Sequence, residues 1–444
     1  MQTNFTLAQL ANPQIAEAEQ ILRACVHCGF CTATCPTYVL LGDELDSPRG
    51  RIYLIKEMLE HDRPADRETV KHIDRCLSCL SCMTTCPSGV HYMHLVDHAR
   101  DHIETTYKRP LADRLIRGLL ARVLTDQSLF RFAVVGGKLA RPFAPAFAAL
   151  GLSRLAAMVR LTPVTSPAPP SDRARKVFPA EGVRRGRVAL LGGCINPVLS
   201  PSTNAAAIRT LNRHGVEVVI AEGEGCCGSL THHMGREDQA FAQARGTIDA
   251  WVREIEREPL DAILVTVSGC GTTIKDYGHM FKDDPAYAGK AQQVSGLARD
   301  ITEYLATLGL AANTATRPLN VAYHAACSLQ HGQKIVHAPK DLLSKLGFVV
   351  KDIGEGHLCC GSAGTYNILQ PAIAARLRDR KVANIEQLQP DVIAAGNIGC
   401  MTQIASGTSI PVVHTVELID WATGGPVPEP LARQGLGLGE ASAG

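Results

Sequence analysis

The sequence predicts a multidomain chain: a mainly α-helical, cysteine-rich domain first, then a duplicated α/β domain with parallel sheets. Three observations carry this. Two cysteine runs of one form stand near the start: Cys25, Cys28, Cys31, Cys35-Pro36 and Cys76, Cys79, Cys82, Cys86-Pro87, each reading C-x2-C-x2-C-x3-C-P. The other eight cysteines form two matching sets: Cys194, Cys226-Cys227-Gly228 and Cys270, then Cys327, Cys359-Cys360-Gly361 and Cys400. In both sets 32 residues separate the single cysteine from the vicinal pair, and the copies are offset by 133 residues, or 130 at the last cysteine. Short apolar segments precede these cysteines and helical patterns follow them. A length of 444 residues suits two or three domains.

In each N-terminal run, C-x2-C-x2-C wraps a tight loop, so three thiolates converge. The fourth cysteine lies just before proline, where a helix cannot continue backwards. Structural zinc usually takes two cysteine pairs separated by a longer loop, and four cysteines in eleven residues do not suit one tetrahedral ion. Disulfides are disfavoured because the first twenty residues hold no lysine or arginine and no apolar core segment, hence no export signal. The spacing resembles that of bacterial two-cluster ferredoxins. The resemblance implies two [4Fe-4S] clusters, with the fourth thiolate of each run crossing over. Cys25, Cys28, Cys31 and Cys86 would then hold one cluster, and Cys76, Cys79, Cys82 and Cys35 the other. Such a domain is expected to fold only around its iron.

The spacer 36–75 is too long for a compact ferredoxin hairpin. It carries Arg49-Gly50-Arg51, then Ile52, Leu54, Ile55, Met58 and Leu59 at helical spacing, and His91 to Tyr107 is again helix-like. Residues 1–107 therefore read as a helical ferredoxin-type domain, in the manner of the iron–sulfur subunit of succinate dehydrogenase. Arg49 and Arg51 are candidates to raise a cluster's potential, or simply mark a solvated helix start.

Residues 108–186 read as a basic helical connector and linker. From 108 to 187 there are 16 Lys or Arg against 4 Asp or Glu, although the whole chain is only +2. Leu111, Leu115, Ile116, Leu119, Leu120 and Val123 suit an amphipathic helix, and Pro163 to Pro170 a linker. Such a stretch suits docking to an anionic membrane face or an acidic partner subunit, or a solvated connector. No stretch is long and uncharged enough to span a membrane; Phe130 to Leu161 is interrupted by Lys138, Arg141, Arg154 and Arg160.

The first repeat is placed at 187–316 and the second at 317–422, with a flexible Gly/Pro/Ala-rich tail at 423–444. Strands are expected over Val188–Leu191, Val216–Ala221 and Ala262–Val267, then Val321–Tyr323, Val349–Ile353 and Val392–Ala395, each leading to a cysteine. Strand–loop–helix units in series imply parallel sheets, with ligands beyond the carboxyl ends of the strands. The duplication suggests two halves facing each other about a pseudo-twofold axis.

The C…CCG…C arrangement resembles the cysteine-rich domain of heterodisulfide reductases. The chain as a whole resembles the iron–sulfur subunits of bacterial glycolate oxidase. The resemblance rests on Cys25–Pro36, Asp46-Ser47-Pro48-Arg49-Gly50-Arg51, Cys76–Pro87, Tyr323-His324 with Cys327-Ser328-Leu329-Gln330-His331, His357 through Tyr366, and Asn397-Ile398-Gly399-Cys400. The heterodisulfide reductase repeat ends in C-x-x-C, whereas here the third residues after Cys270 and Cys400 are Thr273 and Gln403. Cys194, Cys226, Cys227, Cys270, Cys327, Cys359, Cys360 and Cys400 are thus candidates for a further cluster, redox thiols or buried thiols. His232, His233, His324, His331 and His357 are candidate ligands, proton carriers or ordinary core histidines.

No dinucleotide fingerprint, P-loop or serine–histidine–acid motif occurs, and an aromatic content of 5% argues against a base-stacking nucleic-acid surface. The resemblance implies an electron-transfer subunit of a glycolate oxidase (glycolate dehydrogenase) complex. FAD and the oxidation of glycolate to glyoxylate would lie on partner subunits, and electrons would pass to a quinone or other acceptor. Subunits for lactate or glycerol 3-phosphate, or a heterodisulfide-reductase-like catalytic subunit, are the alternatives. The expected location is the cytoplasm, peripheral on the inner face of the cell membrane.

Overall fold

A computed structural model describes residues 1–163, 174–310 and 318–436. Val164 to Pro170 of the expected linker, the 316/317 boundary and the last eight tail residues lie outside them.

Residues 1–161 contain helices and no strand among the described residues. Pro48–Glu60 covers the periodic apolar stretch after the first cysteine run. Ser47 caps it by accepting from the Gly50 amide, and Pro48 occupies its first turn, where no amide donor is needed. Gly50 is required by packing, since a Cβ there would lie 2.1 Å from the Glu44 carbonyl oxygen. Tyr92–Thr106 follows the second run. Together with Pro13–Ala24 these helices bury Leu22, Ile55, Met58, Ile73, Leu95 and Ile103 around the N-terminal cysteines.

The second half holds two sheets. Strands β1 (Lys176–Phe178), β2 (Gly186–Leu190), β3 (Val216–Ile220), β4 (Ala262–Val265) and β5 (Ala298–Asp300) order as β1-β3-β2-β4-β5. Strands β6 (Asn320–His324), β7 (Val349–Asp352), β8 (Val392–Ala395) and β9 (Val412–His414) order as β7-β6-β8-β9. All pairings are parallel except β1 with β3. The six strands expected from sequence are β2, β3, β4, β6, β7 and β8. β1, β5 and β9 are edge strands of three residues, too short for a readable alternation.

β2 and β6 each sit between the next two strands of their own repeat. The chain reverses direction across each sheet at that point, and it is there, beyond the strand ends, that such sheets bind ligands. Cys194 and Cys270 follow the two strands flanking this point in the first repeat; Cys327 and Cys400 do so in the second. The repeats share one core, with Leu190, Leu211 and Val218 packed in the same cluster as Val321, Leu343 and Leu418. Helix Thr415–Ala422 closes against the first repeat, where Arg209 Nε lies 2.9 Å from Asp420.

The basic connector packs on both repeats. Helix Leu111–Val123 packs Leu120 against Ile368 and Leu369 of the second repeat. Helix Gln127–Ala140 packs Phe130 and Val134 against Val198 of the first. The connector therefore roofs the seam between the repeats. Its outer side exposes Leu115, Leu119, Phe132, Leu139, Phe143 and Leu150, each more than half accessible, among exposed Arg114, Arg122, Lys138 and Arg141. No helix among the described residues is long and apolar enough to cross a membrane.

Candidate functional site

The two N-terminal cysteine loops share one backbone path. His27 and Gly29 in the first, and Ser78 and Leu80 in the second, all have positive φ. Turning twice through the left-handed region directs successive amides inward, a concavity that suits an anionic thiolate-bound centre. The Ser78 amide lies 3.5 Å from Cys76 Sγ, and the Tyr92 hydroxyl 3.7 Å from the same sulfur.

A cavity of about 30 Å³ is lined by Cys25, Cys28, Cys31, Cys82 and Cys86. Cys35 turns away from its own loop. It lies close enough to Cys79 and Cys82 to raise their thiols further, after burial, which acts first. Burial also pushes Cys31 up to about 11. A metal takes the thiolate, so loading these sites releases protons.

Arg51 is buried between the loops. Its guanidinium donates to the His72 carbonyl at 2.7 Å and to Thr37 Oγ1 at 2.9 Å, and lies 3.7 Å from Cys35 Sγ. Asp46 balances it, contacting Arg51, His72 and Arg75. Arg49 instead bonds Glu44 at 2.8 Å near the surface. The two arginines named from sequence thus have different roles: Arg51 reaches a cysteine sulfur with its guanidinium, whereas Arg49 reaches Cys31 through its backbone amide.

In the first repeat the sulfurs are neighbours in series, Cys194 beside Cys226, Cys226 beside Cys227 and Cys227 beside Cys270. The second repeats the order, Cys327, Cys359, Cys360, Cys400. Gly228 and Gly361 make the vicinal pairs possible. Their φ values are +81° and +88°, and a Cβ on either would meet a helix carbonyl oxygen, of Ala240 or Ala374, at 2.6 Å. Four soft donors in a dry setting fit an iron–sulfur centre. Among the described residues no cysteine is disulfide-bonded. Thr273 and Gln403 are buried and bonded to protein. Gln403 accepts from Asn367 at 3.1 Å and donates to the Ala374 carbonyl at 3.1 Å.

A cavity of about 620 Å³ brings these sets together. It is lined by the four cysteines of the first repeat, by Cys327, Cys359 and Cys400 of the second, and by Cys76 and Cys79. Its roof is apolar connector, including Leu119, Leu120, Phe130, Val134, Met158 and Val159. Leu119 is itself more than half exposed, so the cavity reaches the connector's outer face. Residue spacing does not reveal this roof, because amphipathic helices show that they pack and not against what. Burial pushes the Glu224 carboxyl beside the first set up to about 8; it accepts from Gly192 and from Trp251 Nε1.

The histidines fall apart as a group. His232 and His233 contact Asp97 of the N-terminal helices, at 3.6 and 3.1 Å, and His331 pairs with Thr84 at 2.8 Å. These three hold the repeats onto the N-terminal helices. Only His324, at the end of β6, lies against cysteines, Cys360 and Cys400. Lys381, buried beside Cys327, Cys359 and Cys360, drew no attention in the sequence, where it reads as one more helix cation.

Known families match this organisation. A 4Fe-4S dicluster domain model matches residues 21–90, and a cysteine-rich domain model matches 188–275 and 321–405. The glycolate oxidase iron–sulfur subunit of Escherichia coli (strain K12) is 44% identical over 95% of this chain and 99% of its own length. A probable glycolate oxidase iron–sulfur subunit of Bacillus subtilis (strain 168) is 30% identical over 90% of this chain and 94% of its own. Lactate utilization protein A of Bacillus licheniformis is 26% identical over 53% of this chain and 99% of its own. A crystal structure of a hypothetical protein from Helicobacter pylori aligns with TM-score 0.54 at 9% identity, covering 95% of this chain and 74% of that one, a likeness of fold alone. With two near-full-length relatives of one kind and both cysteine domains matched, the chain belongs to the family of glycolate oxidase iron–sulfur subunits and is an iron–sulfur electron-transfer protein.

Proposed function

We propose that this chain carries electrons away from a flavin subunit that oxidises glycolate to glyoxylate, and delivers them to a quinone. The observation that carries the reading is 44% identity, along nearly the whole of both chains, to a protein named for that complex. Bound [4Fe-4S] clusters supply one-electron redox chemistry. The chain's own residues hold and shield them. Cys25, Cys28 and Cys31 with Cys86 form one ligand set, and Cys76, Cys79 and Cys82 with Cys35 the other. The small cavity that the first four line, with Cys82 at its border, and the nearness of Cys35 to Cys79 and Cys82 support this division. Arg51 turns a cation and an N–H toward Cys35, which favours the more negative, reduced state of a centre held there.

Residues 1–107 serve as the inlet, 108–186 as the roof, and 187–316 and 317–422 as the paired repeats, with 423–444 as a tail. The volume and apolar roof of the large cavity suit a quinone ring. The exposed leucines and phenylalanines of the connector, set among arginines, suit peripheral contact with an anionic membrane at the cavity's outer face.

The test is Cys28→Ser in the purified complex. Glycolate should still reduce the flavin, while reduction of a quinone analogue stops. Unchanged quinone reduction would overturn the reading. The same assay with lactate distinguishes the substrate.

A further inference from the structure

The two cysteine sets arise from duplicated sequence, yet their surroundings differ. The offset of 133 that relates Cys194 to Cys327 also relates Leu191 to His324 and Ile248 to Lys381. Leu191 and Ile248 belong to the apolar core of the first repeat. In the second repeat the same positions carry an imidazole and an ammonium, both buried.

His324 is 1% exposed, and its Nε2 has no hydrogen-bond partner. A ring nitrogen of His324 and the sulfurs of Cys360 and Cys400 all lie within 4.8 Å of one another. Native structures rarely leave a buried polar nitrogen unpaired, and a bound ion is a usual partner where protein supplies none. Lys381 is 2% exposed and donates to the Glu355 carbonyl at 2.8 Å. Its charge faces Cys327, Cys360 and Cys359, a field that favours bound thiolates. The first set has neither feature; the buried ionisable side chain against it is Tyr277, whose hydroxyl donates to the Cys227 carbonyl at 2.7 Å.

We propose that the second repeat holds a mixed imidazole–thiolate centre, with His324 ligating an iron of a cluster carried by Cys327, Cys359, Cys360 and Cys400, while the first repeat offers thiolates alone. This rests on the reading that the second set binds iron. A neutral imidazole in place of an anionic thiolate makes the centre less negative and raises its potential, and Lys381 acts in the same direction. Cys79 of the second ferredoxin-type run lies against Cys327 and Cys359. The repeats are therefore inequivalent. The second is the electron sink adjoining the N-terminal domain, and it borders the large cavity through Cys327, Cys359 and Cys400.

The experiment uses the intact protein, purified anaerobically, with and without 15N-histidine. Pulsed EPR of the reduced protein should show coupling to a directly bound imidazole nitrogen that changes with the label. His324→Cys should abolish that coupling, keep iron and sulfide per chain unchanged, and lower the midpoint potential of one centre. A coupling that persists in His324→Cys overturns the proposal. So does the absence of coupling in a wild-type protein whose iron content falls on Cys360→Ser. An iron content unchanged by Cys360→Ser removes the underlying reading instead, and the proposal with it. Where His324→Cys does not fold, His324→Gly supplied with imidazole is measured. Coupling to the added imidazole supports ligation, and a fully loaded protein without it overturns ligation.

Discussion

Replacing His94 with glutamine removes a charge from the seam between the N-terminal helices and the first repeat. His94 lies on helix Tyr92–Thr106, with Nδ1 3.3 Å from Glu17 and Nε2 3.1 Å from Asp276. Its ring stacks on His279 at 3.6 Å, and His279 in turn contacts Glu17 at 2.6 Å. Burial works against the charged imidazole, but the hydrogen bonds to Asp276 and Glu17 prevail and raise His94 from 6.5 to about 9. At about 1.4 kcal/mol per pKa unit, that shift is worth about 3 kcal/mol of folding stability. A raised pKa stabilises fully below the unfolded value and is lost as pH rises, so the contribution is whole below pH 6.5 and gone above about 9. Glu17 has the opposite sign. Hydrogen bonds from His279 and His94 hold it far below its ordinary 4.5, so its contribution fades as pH falls below that value. The seam is then strongest between pH 4.5 and 6.5. Urea unfolding of anaerobic protein, followed by the fluorescence of Trp251 and Trp421, provides the assay. The stability difference between wild type and His94→Gln should shrink by about 3 kcal/mol from pH 6.5 to 9.5. A difference independent of pH would refute the assignment of the charge to His94.

Other expectations concern separate parts of the chain. Gly361→Ala places a Cβ 2.6 Å from the Ala374 carbonyl oxygen at a φ of +88°, and should cost at least about 1–3 kcal/mol, seen as a lower unfolding midpoint and less iron per chain. Gly364→Ala, also at positive φ but with no atom within 4 Å, should cost less. Arg51→Met leaves Asp46 with fewer partners and should destabilise by about 3 kcal/mol while lowering the midpoint potential of the adjacent centre, read by potentiometric titration. Phe132→Asp with Leu139→Asp should abolish sedimentation with anionic vesicles without altering iron content, and binding by wild type should weaken with salt. Salt-independent binding would place the affinity in the apolar face alone.

What could be read from residues, and what could not, follows from the range of each signal. The strands before Cys194, Cys270, Cys327 and Cys400 were legible because parallel strands buried on both faces are continuous apolar runs. The helix Pro48–Glu60 was legible through Ser47, Pro48 and its apolar period. Convergence of each C…CCG…C set followed from where strands end in such sheets. Partners distant in sequence were not legible. Arg51 reaches Cys35 across 16 residues, and the connector's packing on Ile368 and Val198 spans far more. The difference between His324 and Leu191 lies in plain view in the duplicated sequence. It acquires meaning only once the end of β6 is seen to abut Cys360 and Cys400.

The most direct measurement is glycolate reduction of the iron in the intact, anaerobically purified complex, followed by EPR alongside iron and sulfide analysis. The account predicts that glycolate produces reduced iron–sulfur signals and that iron exceeds the eight per chain that two [4Fe-4S] clusters require. Glycolate that reduces flavin but never this chain's iron, in a complex with its clusters loaded, would contradict it.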